Sequence, residues 1–442
     1  MNALHSRSAL ELEPDVAREA VREECATEDA PSAKPNIRSL FITQWFDPEP
    51  GAIRGLPLAR WLSRRGHTVE VLTGFPNYPG GRIYAGYRQR LMQREFLGDI
   101  GVLRVPLYPS HDHSAVHRVA NYVSFALSSA TLGVAGARRA DVAYVYNPPP
   151  TALAGLVLKA LRRIPFMYHI GDMWPESVTE SGMIGNPRLR RVVESSIHRW
   201  CDFVYDQASI VTVLSPGFKR ILVHRVVPPE KVHVIYNWAD EAVFHPVARD
   251  PLVGDTLGLN DRFNVIYAGN MGVFQGLETV IQAAELLRDI PEIQIVLVGT
   301  GPREAELREM ASGLGNVRFV ERRQYWEMPQ IYSHADVTLI HLRDLPVFAS
   351  TIPSKTQVAL ACGRPVLMAV RGDAADVVVR SGGGITCPPE DVQALAASIE
   401  QMYRMTPADR SAMGARGRDF YLRELSIDSG GARMNQLLRR MS

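Results

Sequence analysis

Short runs of apolar, β-branched and aromatic residues alternate with segments of helical periodicity along most of the chain. This alternation predicts βαβ units and parallel, doubly wound sheets. Two series of strands are predicted: residues 37–46, 67–75, 141–147, 165–172 and 208–215, and then 263–270, 293–301, 317–320, 336–342 and 364–370. The expected fold class is therefore α/β, with two Rossmann-like domains whose parallel sheets face a central cleft.

The positions of these two series divide the chain into expected segments. The length of 442 residues favours two or three domains. The stretch before the first strand is acidic, rich in alanine and without the apolar core of a signal peptide. We expect a disordered extension at 1–36, a first domain at 37–225, a linker at 226–246, a second domain at 247–425, and at 426–442 a helix that crosses back to the first domain.

Composition narrows the class of protein. Apolar residues make up 46% of the chain and charged residues 22%, which is an ordinary balance for a globular protein. The formal net charge of +2 does not indicate a nucleic-acid binder. Four cysteines without paired spacing favour a reducing, cytoplasmic compartment and argue against a structural zinc.

One segment of the first domain carries no charge. It runs from Val119 to Ala137, and basic residues flank it on both sides. A membrane-spanning helix needs about 20 strongly apolar residues, whereas this run contains serines, a threonine, an asparagine and glycines. The sequence leaves three interpretations open: a buried core helix, a helix on a membrane surface, and a span.

Ligands of open α/β sheets bind beyond the carboxyl ends of the strands, so the residues after each strand are the candidates. After the first strand, Gly51 lies in a loop that could expose backbone N–H groups to a sugar or phosphate, or could form only a tight turn. The sequence "YHIGDMWPES" places His169, Asp172, Trp174 and Glu176 at another strand end. A histidine and carboxylates there can orient substrate hydroxyls or move a proton, although a lone histidine is more often structural.

The second domain contains two glycine-bearing turns between a strand and a helix. Gly269 and Gly272 lie in the first, and Gly299 and Gly301 lie in the second. Glycines at such turns allow the backbone to approach a diphosphate or nucleotide closely. Together the two turns predict a nucleotide pocket.

The segment "STIPSKTQVALACGRPVL" at 350–367 is the most specific of these motifs. Ser354 is expected to cap a helix, with Gln357 completing a capping box and Gly363 ending the helix. Lys355 would then lie in the first turn, where its charge opposes the helix dipole unless an anion is bound. The alternative is a solvated surface lysine.

Several motifs in order carry a resemblance to a known family. "VTVLSPGFKRIL", "PEKVHVIYNWAD", "YAGNMGVFQGLETVIQA", "VLVGTGPREAELRE" and "PSKTQVALACGRPVL" resemble the retaining glycosyltransferases of family 4, which have the GT-B fold. "GDMWPES" resembles the colanic-acid and O-antigen type of that family. The resemblance covers about residues 37–425.

The resemblance implies an activity and partners. The family transfers a sugar from a nucleotide sugar, usually a UDP-sugar, with retention of anomeric configuration and without a metal or other cofactor. We therefore expect a lipid-linked or saccharide acceptor in bacterial surface polysaccharide synthesis, and no nucleic-acid partner. Localisation is expected to be cytoplasmic, with peripheral attachment to the inner membrane left open.

The resemblance also implies site residues, with Asp172, His169 and Lys355 in the catalytic group. Gly51, Trp174 and Glu176 would contact the acceptor or the transferred sugar, and the nucleotide base would lie near Val320 to Arg323. The expected donor-binding residues are Gly269, Asn270, Gly272, Gln275, Gly299, Gly301, Arg322, Arg343, Ser354, Lys355 and Gln357.

The chain departs from the family at four positions, two of which are among the expected donor-binding residues. Many members carry two glutamates eight positions apart, and here Ser350 and Val358 stand in their place. Asn270 and Gln275 replace a frequent arginine and lysine in the first donor turn. Lys355 and Arg343 should then matter more, and Gln357 is the expected substitute for holding the ribose.

Two rival functions remain open on the sequence. The first is an epimerase of the same fold acting on a UDP-sugar, which would need more acid and base residues than the second-domain turns contain. The second is a non-catalytic partner that binds a sugar nucleotide, which the missing glutamates favour.

Overall fold

The computed structural model describes residues 36–49, 54–111, 114–146, 148–175, 187–225 and 227–442. The stretch 1–35, which is nearly the whole of the expected extension, lies outside the described residues. Two predicted site residues, Gly51 and Glu176, also lie outside them.

An eight-stranded sheet forms the core of the first domain. Its order is β3-β4-β2-β1-β5-β6-β7-β8, and all neighbouring strands are parallel except β3 and β4. The strands are β1 (Ile37–Ile42), β2 (His67–Gly74), β3 (Gln93–Leu97), β4 (Ile100–Val105), β5 (Val142–Tyr146), β6 (Phe166–Ile170), β7 (Ile210–Val213) and β8 (Val232–Val234). The helices are α1 (Leu56–Ser63), α2 (Ala115–Ser128), α3 (Ala152–Arg162), α4 (Pro187–Gln207) and α5 (Pro216–His224).

A six-stranded parallel sheet forms the second domain. Its order is β11-β10-β9-β12-β13-β14. The strands are β9 (Phe263–Ala268), β10 (Ile293–Val298), β11 (Val317–Val320), β12 (Val337–His341), β13 (Val366–Ala369) and β14 (Gly384–Thr386). The helices are α6 (Pro251–Leu257), α7 (Leu277–Leu286), α8 (Glu304–Met310), α9 (Met328–Ser333), α10 (Ser354–Ala361), α11 (Asp373–Ser381), α12 (Val392–Arg404), α13 (Pro407–Phe420) and α14 (Ile427–Met441).

Short helical turns supplement these elements. The 3₁₀ turns are Pro149–Thr151, Val273–Gln275, Tyr325–Glu327 and Pro346–Ser350; π-type turns occupy Ser129–Gly133 and Tyr421–Leu425, and Val134–Gly136 is a single α-turn.

The predicted class of two parallel-sheet α/β domains is confirmed, with additions. Strands β3 and β4 were not expected, and β3 is an antiparallel edge strand. The segment expected to be a linker at 226–246 contributes β8, which pairs with β7. The first sheet therefore extends to Val234, and the linker expectation is wrong for that part.

Each sheet has a point where the strand order reverses, and a crevice opens there at the carboxyl ends of the strands. In the first sheet this point lies between β1 and β5, and in the second between β9 and β12. The two domains touch at segments that follow strands of both sheets. The Ser215 hydroxyl donates to the Ser350 carbonyl oxygen at 2.6 Å, and Asp373 accepts from the Gly217 N–H at 2.5 Å and from Arg220 at 2.8 Å. Segments that follow strands of both sheets therefore meet where the two domains touch.

The last helix, α14, packs on the first domain. The Trp61 indole donates to Asp428 at 2.6 Å, and His67 bonds to Asn435 at 2.9 Å. Gly431 lies so close to Trp61 that an added Cβ would stand 2.8 Å from the indole ring. This helix joins the end of the chain to helix α1.

The uncharged run at 119–137 forms most of α2 and the turns that follow it. Its inner face is buried at Phe125 and Ala130, whereas Val119 and Leu127 are 57% and 55% exposed. One side of α2 is therefore covered by the core, and the other side faces solvent. Among the described residues, no helix has the length and apolar character needed to cross a bilayer.

Candidate functional site

Lys355 lies against the turn that follows strand β9. Its Nζ is 2.7 Å from the Tyr267 hydroxyl and 4.1 Å from the centroid of the Tyr267 ring. The same hydroxyl donates to the Asn270 carbonyl oxygen at 2.6 Å. At Gly269, where φ is +150°, an added Cβ would stand 2.7 Å from Nζ. The missing side chain of Gly269 therefore makes the space that the lysine occupies.

Among the residues that the structure describes, no carboxylate lies within ion-pair distance of the Lys355 ammonium. Burial lowers the pKa of its ammonium to about 8, because water is removed without a compensating negative charge. The interpretation as a solvated surface lysine is wrong, because the ammonium is desolvated and bonds to the Tyr267 hydroxyl.

The start of helix α10 differs from the prediction. Pro353 occupies the N-cap position with an extended ψ of 137°, and no side chain caps the helix. Ser354 is instead the first helical residue and is exposed. The predicted cap is wrong by one residue, because proline already supplies the extended backbone that the N-cap needs. The N–H groups of Ser354 and Lys355 have no partner within the helix, whereas the Thr356 N–H donates to the Pro353 carbonyl oxygen at 2.8 Å.

Gln357 does not point into the cleft. It is 2% exposed, and in the amide orientation that satisfies both its atoms, the nitrogen donates to the carbonyl oxygens of Pro353 at 2.9 Å and Ser354 at 3.2 Å. The expectation that Gln357 holds a ribose is wrong, because its side chain is committed to the helix start. The end of α10 follows the prediction, with Gly363 at φ +65° after the last turn.

The glycines of the second turn lie against the backbone of the first turn. At Gly299, an added Cβ would overlap the Gly269 carbonyl oxygen and lie 3.0 Å from its carbon. At Gly301, it would stand 2.5 Å from the Met271 carbonyl oxygen. The space at both positions is filled by backbone of the turn after β9, so these glycines support that turn and leave no open space for a ligand at their own α-carbons.

Polar contacts fix the rest of the turn after β9. The Gln275 side chain accepts from the Gly272 N–H at 3.1 Å, and the buried His341 ring bonds to the Gln275 carbonyl oxygen at 2.7 Å. Asn270 is exposed.

Arg343 donates to the Val273 carbonyl oxygen at 2.7 Å and forms ion pairs with Glu278 and Glu390. Its charge is already neutralised, so the expected increase in its importance is not supported.

Arg322 follows strand β11 and is exposed. It lies in the segment where the nucleotide base was expected. No hydrogen bond or ion pair involves Arg322 in the described part of the structure. Its side chain is therefore available to a ligand.

In the first domain, Asp172 and Trp174 follow strand β6. The Asp172 carboxyl is accessible in the cleft, yet the surrounding protein removes enough water to raise its pKa. The Trp174 ring packs edge-on against Tyr122 at 5.8 Å. The aromatic contacts continue from Tyr122 to Trp45 at 6.2 Å and from Trp45 to Tyr78 at 5.8 Å.

We name this set the aromatic row: Tyr78, Trp45, Tyr122 and Trp174. All four rings are partly exposed. Sequence reasoning missed three of them, because they come from three separate segments that only the fold brings together. The buried Glu49 carboxylate organises this region, since it accepts the backbone N–H groups of Phe46, Asn77 and Tyr78 at 2.7 to 3.0 Å.

His169 does not face the cleft. Its ring has no exposed surface, its Nδ1 is 2.6 Å from the Thr212 hydroxyl, and it stacks on Tyr146 at 5.4 Å. Burial, with a smaller effect of the Arg54 charge, holds its pKa well below the ordinary value. The Nε2 atom of the ring is buried and has no hydrogen-bond partner among the described residues, and a direct sugar contact of His169 stays a prediction.

Comparison with known proteins finds matches to both domains. A family model described as "Glycosyl transferase 4-like domain" matches residues 53–238, and one described as "Glycosyl transferases group 1" matches 262–405. WcaI of Escherichia coli (strain K12), named as a glycosyl transferase of colanic acid biosynthesis, is 28% identical over 355 residues, covering 78% of this chain and 86% of WcaI. WbjE of Pseudomonas aeruginosa, named as a glycosyltransferase, is 24% identical over 313 residues, covering 68% of this chain and 76% of WbjE.

A solved structure with the same fold is HepE from Anabaena in complex with UDP and glucose. It has a TM-score of 0.63 at 18% identity and covers 91% of this chain and all of the HepE chain. At that identity the likeness concerns the fold. The two matched domain models, the similarity to WcaI and the fold together identify the chain as a family 4 glycosyltransferase with the GT-B fold.

Proposed function

We propose that this glycosyltransferase moves a sugar from a nucleotide sugar to a lipid-linked or saccharide acceptor in bacterial surface polysaccharide synthesis, with retention of configuration. One observation carries the proposal: the Lys355 ammonium has no carboxylate partner in the described part of the chain, and it is held at the Gly269 turn by Tyr267. A diphosphate is the anion that fits between this turn and the start of α10.

In this proposal the second domain stabilises the leaving group. Lys355 and the first N–H groups of α10 would carry the negative charge that develops on the diphosphate as the glycosidic bond breaks. Asn270, exposed beside them, would donate to a phosphoryl oxygen. The departing oxygen can accept the acceptor's proton, so no strongly basic side chain is required.

The first domain would bind the acceptor and the transferred sugar. Asp172 would accept a hydrogen bond from a sugar hydroxyl, and the aromatic row would cover the apolar faces of sugar rings. The similarity to WcaI, named for colanic acid biosynthesis, supports an acceptor of surface polysaccharide synthesis.

The donor is proposed to be a UDP-sugar. The family resemblance and the UDP in the HepE structure support this choice. The positions where relatives carry glutamates cannot supply a carboxylate here: the Ser350 carbonyl oxygen contacts Ser215 of the first domain, and Val358 packs against the apolar core. Donor recognition would therefore rest on the diphosphate and base, with Arg322 near the base.

A panel of UDP-, GDP- and dTDP-sugars tests the proposal. We expect slow hydrolysis of one donor without acceptor, faster release of its diphosphate with a polyprenyl-linked acceptor, and a first-formed product whose anomeric configuration matches the donor. Consumption of no donor, or interconversion of two nucleotide sugars without transfer, would contradict the proposal. The second result would instead indicate an epimerase.

The substitution Tyr267→Phe is expected to weaken donor use. It removes the hydroxyl that positions Lys355 and keeps the ring beneath the ammonium. We expect kcat/KM for the donor to fall about 5- to 20-fold, since one hydrogen bond to a charged group contributes about 1.5 kcal/mol. Steady-state kinetics would measure it, with Tyr403→Phe as the control because the Tyr403 ring packs on Phe263 away from the turn. Equal effects of the two substitutions would contradict a specific role for the Tyr267 hydroxyl.

Diphosphate binding is expected to take up protons near pH 8. Lys355 has a pKa lowered to about 8 in the unliganded protein, and a bound diphosphate would raise it because the opposite charge favours the ammonium. At pH 8 we therefore expect an uptake of about half a proton per UDP bound. The dissociation constant should increase as the pH rises above that value. Calorimetry in buffers of different ionisation enthalpy measures the uptake, and Lys355→Met should remove it; an unchanged uptake in the variant would contradict the assignment.

A further inference from the structure

We propose that the first domain encloses a site for a small anion of the size of chloride, formed by Arg54, Tyr144 and His169. The three residues are 6%, 1% and 0% exposed. Arg54 Nη1, the Tyr144 hydroxyl and His169 Nε2 are buried atoms without a hydrogen-bond partner among the described residues. Buried polar atoms in native proteins nearly always have a partner. An enclosed ion would supply one partner for all three atoms.

The three side chains lie on one face of the first sheet. Tyr144 is on β5 and His169 on the neighbouring β6, and their ring centroids are 5.9 Å apart. The Arg54 guanidinium donates to the Ile235 carbonyl oxygen at 2.9 Å and lies 4.6 Å from the centroid of the Trp238 ring. Ile235 and Trp238 pack in the same apolar cluster as Tyr144. Arg54 is also close enough to Tyr144 and His169 to influence both rings electrostatically. The unpartnered atoms therefore belong to one buried polar group.

The partners of the Arg54 guanidinium are all uncharged. Its Nε donates to the Asn237 side chain at 2.8 Å. Its Nη2 donates to the carbonyl oxygens of Ile235 at 2.9 Å and Tyr236 at 2.8 Å. Within the described ranges, no carboxylate lies at ion-pair distance from Arg54. A buried charge without a counter-charge is costly, and burial lowers the pKa of Arg54 accordingly. An anion at Nη1 would supply the missing negative charge.

All three unpartnered atoms can donate a hydrogen. His169 Nδ1 is 2.6 Å from the Thr212 hydroxyl, which has no other acceptor in the described part of the chain. The hydroxyl hydrogen therefore points at Nδ1, and the single hydrogen of the neutral ring lies on Nε2. The ring is neutral because burial and the Arg54 charge hold its pKa well below the ordinary value. Arg54 Nη1 can only donate, and the Tyr144 hydroxyl can donate as well.

An anion fits this set of atoms better than a water molecule does. Chloride can accept from all three donors at once. A water molecule would also have to place two hydrogens of its own, and the Tyr144 oxygen is the one acceptor among these three atoms. Water would in addition leave the Arg54 charge without a counter-charge.

The burial of the site limits the size of its occupant. Side chains that are at most 6% exposed cannot be reached by a phosphorylated sugar or lipid, so the occupant is a small inorganic ion. A single negative charge balances the single charge of Arg54. The anion site does not rest on the proposed function. An anion on Nε2 would take the place of the predicted sugar contact of His169.

Bromide scattering tests the position of the ion. Crystals of the unliganded protein would be soaked in sodium bromide, which replaces chloride by an ion that can be located by anomalous diffraction. We expect a peak within hydrogen-bonding distance of Arg54 Nη1, the Tyr144 hydroxyl and His169 Nε2. Crystals of Arg54→Met should lack this peak.

Thermal unfolding measures the binding of chloride in solution. The midpoint should rise with sodium chloride and reach a plateau, compared with sodium gluconate at equal ionic strength, because chloride binds the folded state. Tyr144→Phe keeps the ring and removes one donor, and should weaken the apparent affinity for chloride about tenfold. Tyr205→Phe is the control, since Tyr205 is also 1% exposed but packs against Tyr168 in the other apolar cluster of this domain. Its response to chloride should equal that of the unmodified protein. Should Arg54→Met fail to fold, the tyrosine pair carries the test.

Four results would overturn the proposal. One is the absence of a bromide peak, with water or no density at the three atoms. Another is an equal response of Tyr144→Phe and Tyr205→Phe to chloride. A bromide peak without a saturable stabilisation that depends on Tyr144 would indicate an adventitious ion only. The last is a complex with a donor sugar in which a sugar hydroxyl bonds to His169 Nε2.

Discussion

Replacing Lys355 by methionine is expected to lower sugar transfer by about a hundredfold to a thousandfold. Methionine has a similar length and fills the space at Gly269, so the substitution removes the charge and its hydrogen bond to Tyr267. Lys355 is the only cation among the described residues of the turn after β9 and the first turn of α10, so the developing negative charge on the diphosphate would lose its positive partner. Arg343 does not replace it, because two glutamates already neutralise its charge. Both kcat and the affinity for UDP should fall.

The stability of the unliganded protein should not decrease together with the transfer activity. Lys355 is a desolvated ammonium without a carboxylate partner in the described chain, and its lowered pKa reflects that cost. The midpoint of thermal unfolding of Lys355→Met should therefore equal or exceed that of the unmodified protein, a separation of stability from activity that is common at binding sites. Lys219→Met is the control, because it removes the same charge from the first domain. A Lys355→Met enzyme with unchanged turnover, or one that loses activity only because it unfolds, would contradict the assignment.

The substitution Gly299→Ala is expected to destabilise the second domain and disturb donor binding together. Gly299 has φ +134°, and its Cβ would overlap the Gly269 carbonyl oxygen. The turn that holds Lys355 would have to move. We expect a loss of about 2–4 kcal/mol in the free energy of unfolding, from backbone strain and from the forced displacement. Urea unfolding measures the loss, and donor KM in the folded fraction should rise.

Gly313→Ala is the matched control for this substitution. Gly313 also has a positive φ, +83°, but an added Cβ would meet no atom within 4 Å. Alanine there should cost only the backbone strain, about 1 kcal/mol, and donor KM should stay unchanged. If both variants lost the same stability, the close approach of the two turns would not be the cause.

Most strands could be predicted because buried parallel strands are continuous apolar runs. Strand β3 was missed because it is an edge strand whose residues are partly or fully exposed, and β8 has only three residues. Strand β4 is entirely buried but contains Arg104, and an arginine in a sequence normally predicts a solvent-exposed position. The fold satisfies Arg104 through Glu95 at 2.6 Å and the Gly74 carbonyl oxygen at 3.0 Å. Those partners were not visible in the local pattern.

In the candidate site too, features set by local sequence could be predicted, and features set by tertiary packing could not. Lys355 was found because proline and the apolar pattern mark where α10 begins, and position in the first turn follows from local sequence. Tyr267 was missed, because its hydroxyl meets Lys355 only through the packing of β9 against α10. At Gly299 and Gly301 the local pattern did not show the close approach of the turn after β9. A glycine pattern shows that space is needed, but tertiary structure decides whether a ligand or backbone fills it.

The central claim is that the donor diphosphate binds between the Gly269 turn and the first turn of α10. Its most direct test is the structure of the complex with UDP, or with the diphosphate of whichever donor the panel selects. The quantity to measure is the distance from Lys355 Nζ to the nearest phosphoryl oxygen. The account predicts a charge-assisted contact of about 2.7–3.2 Å. A bound diphosphate with no oxygen within about 6 Å of Nζ would contradict it.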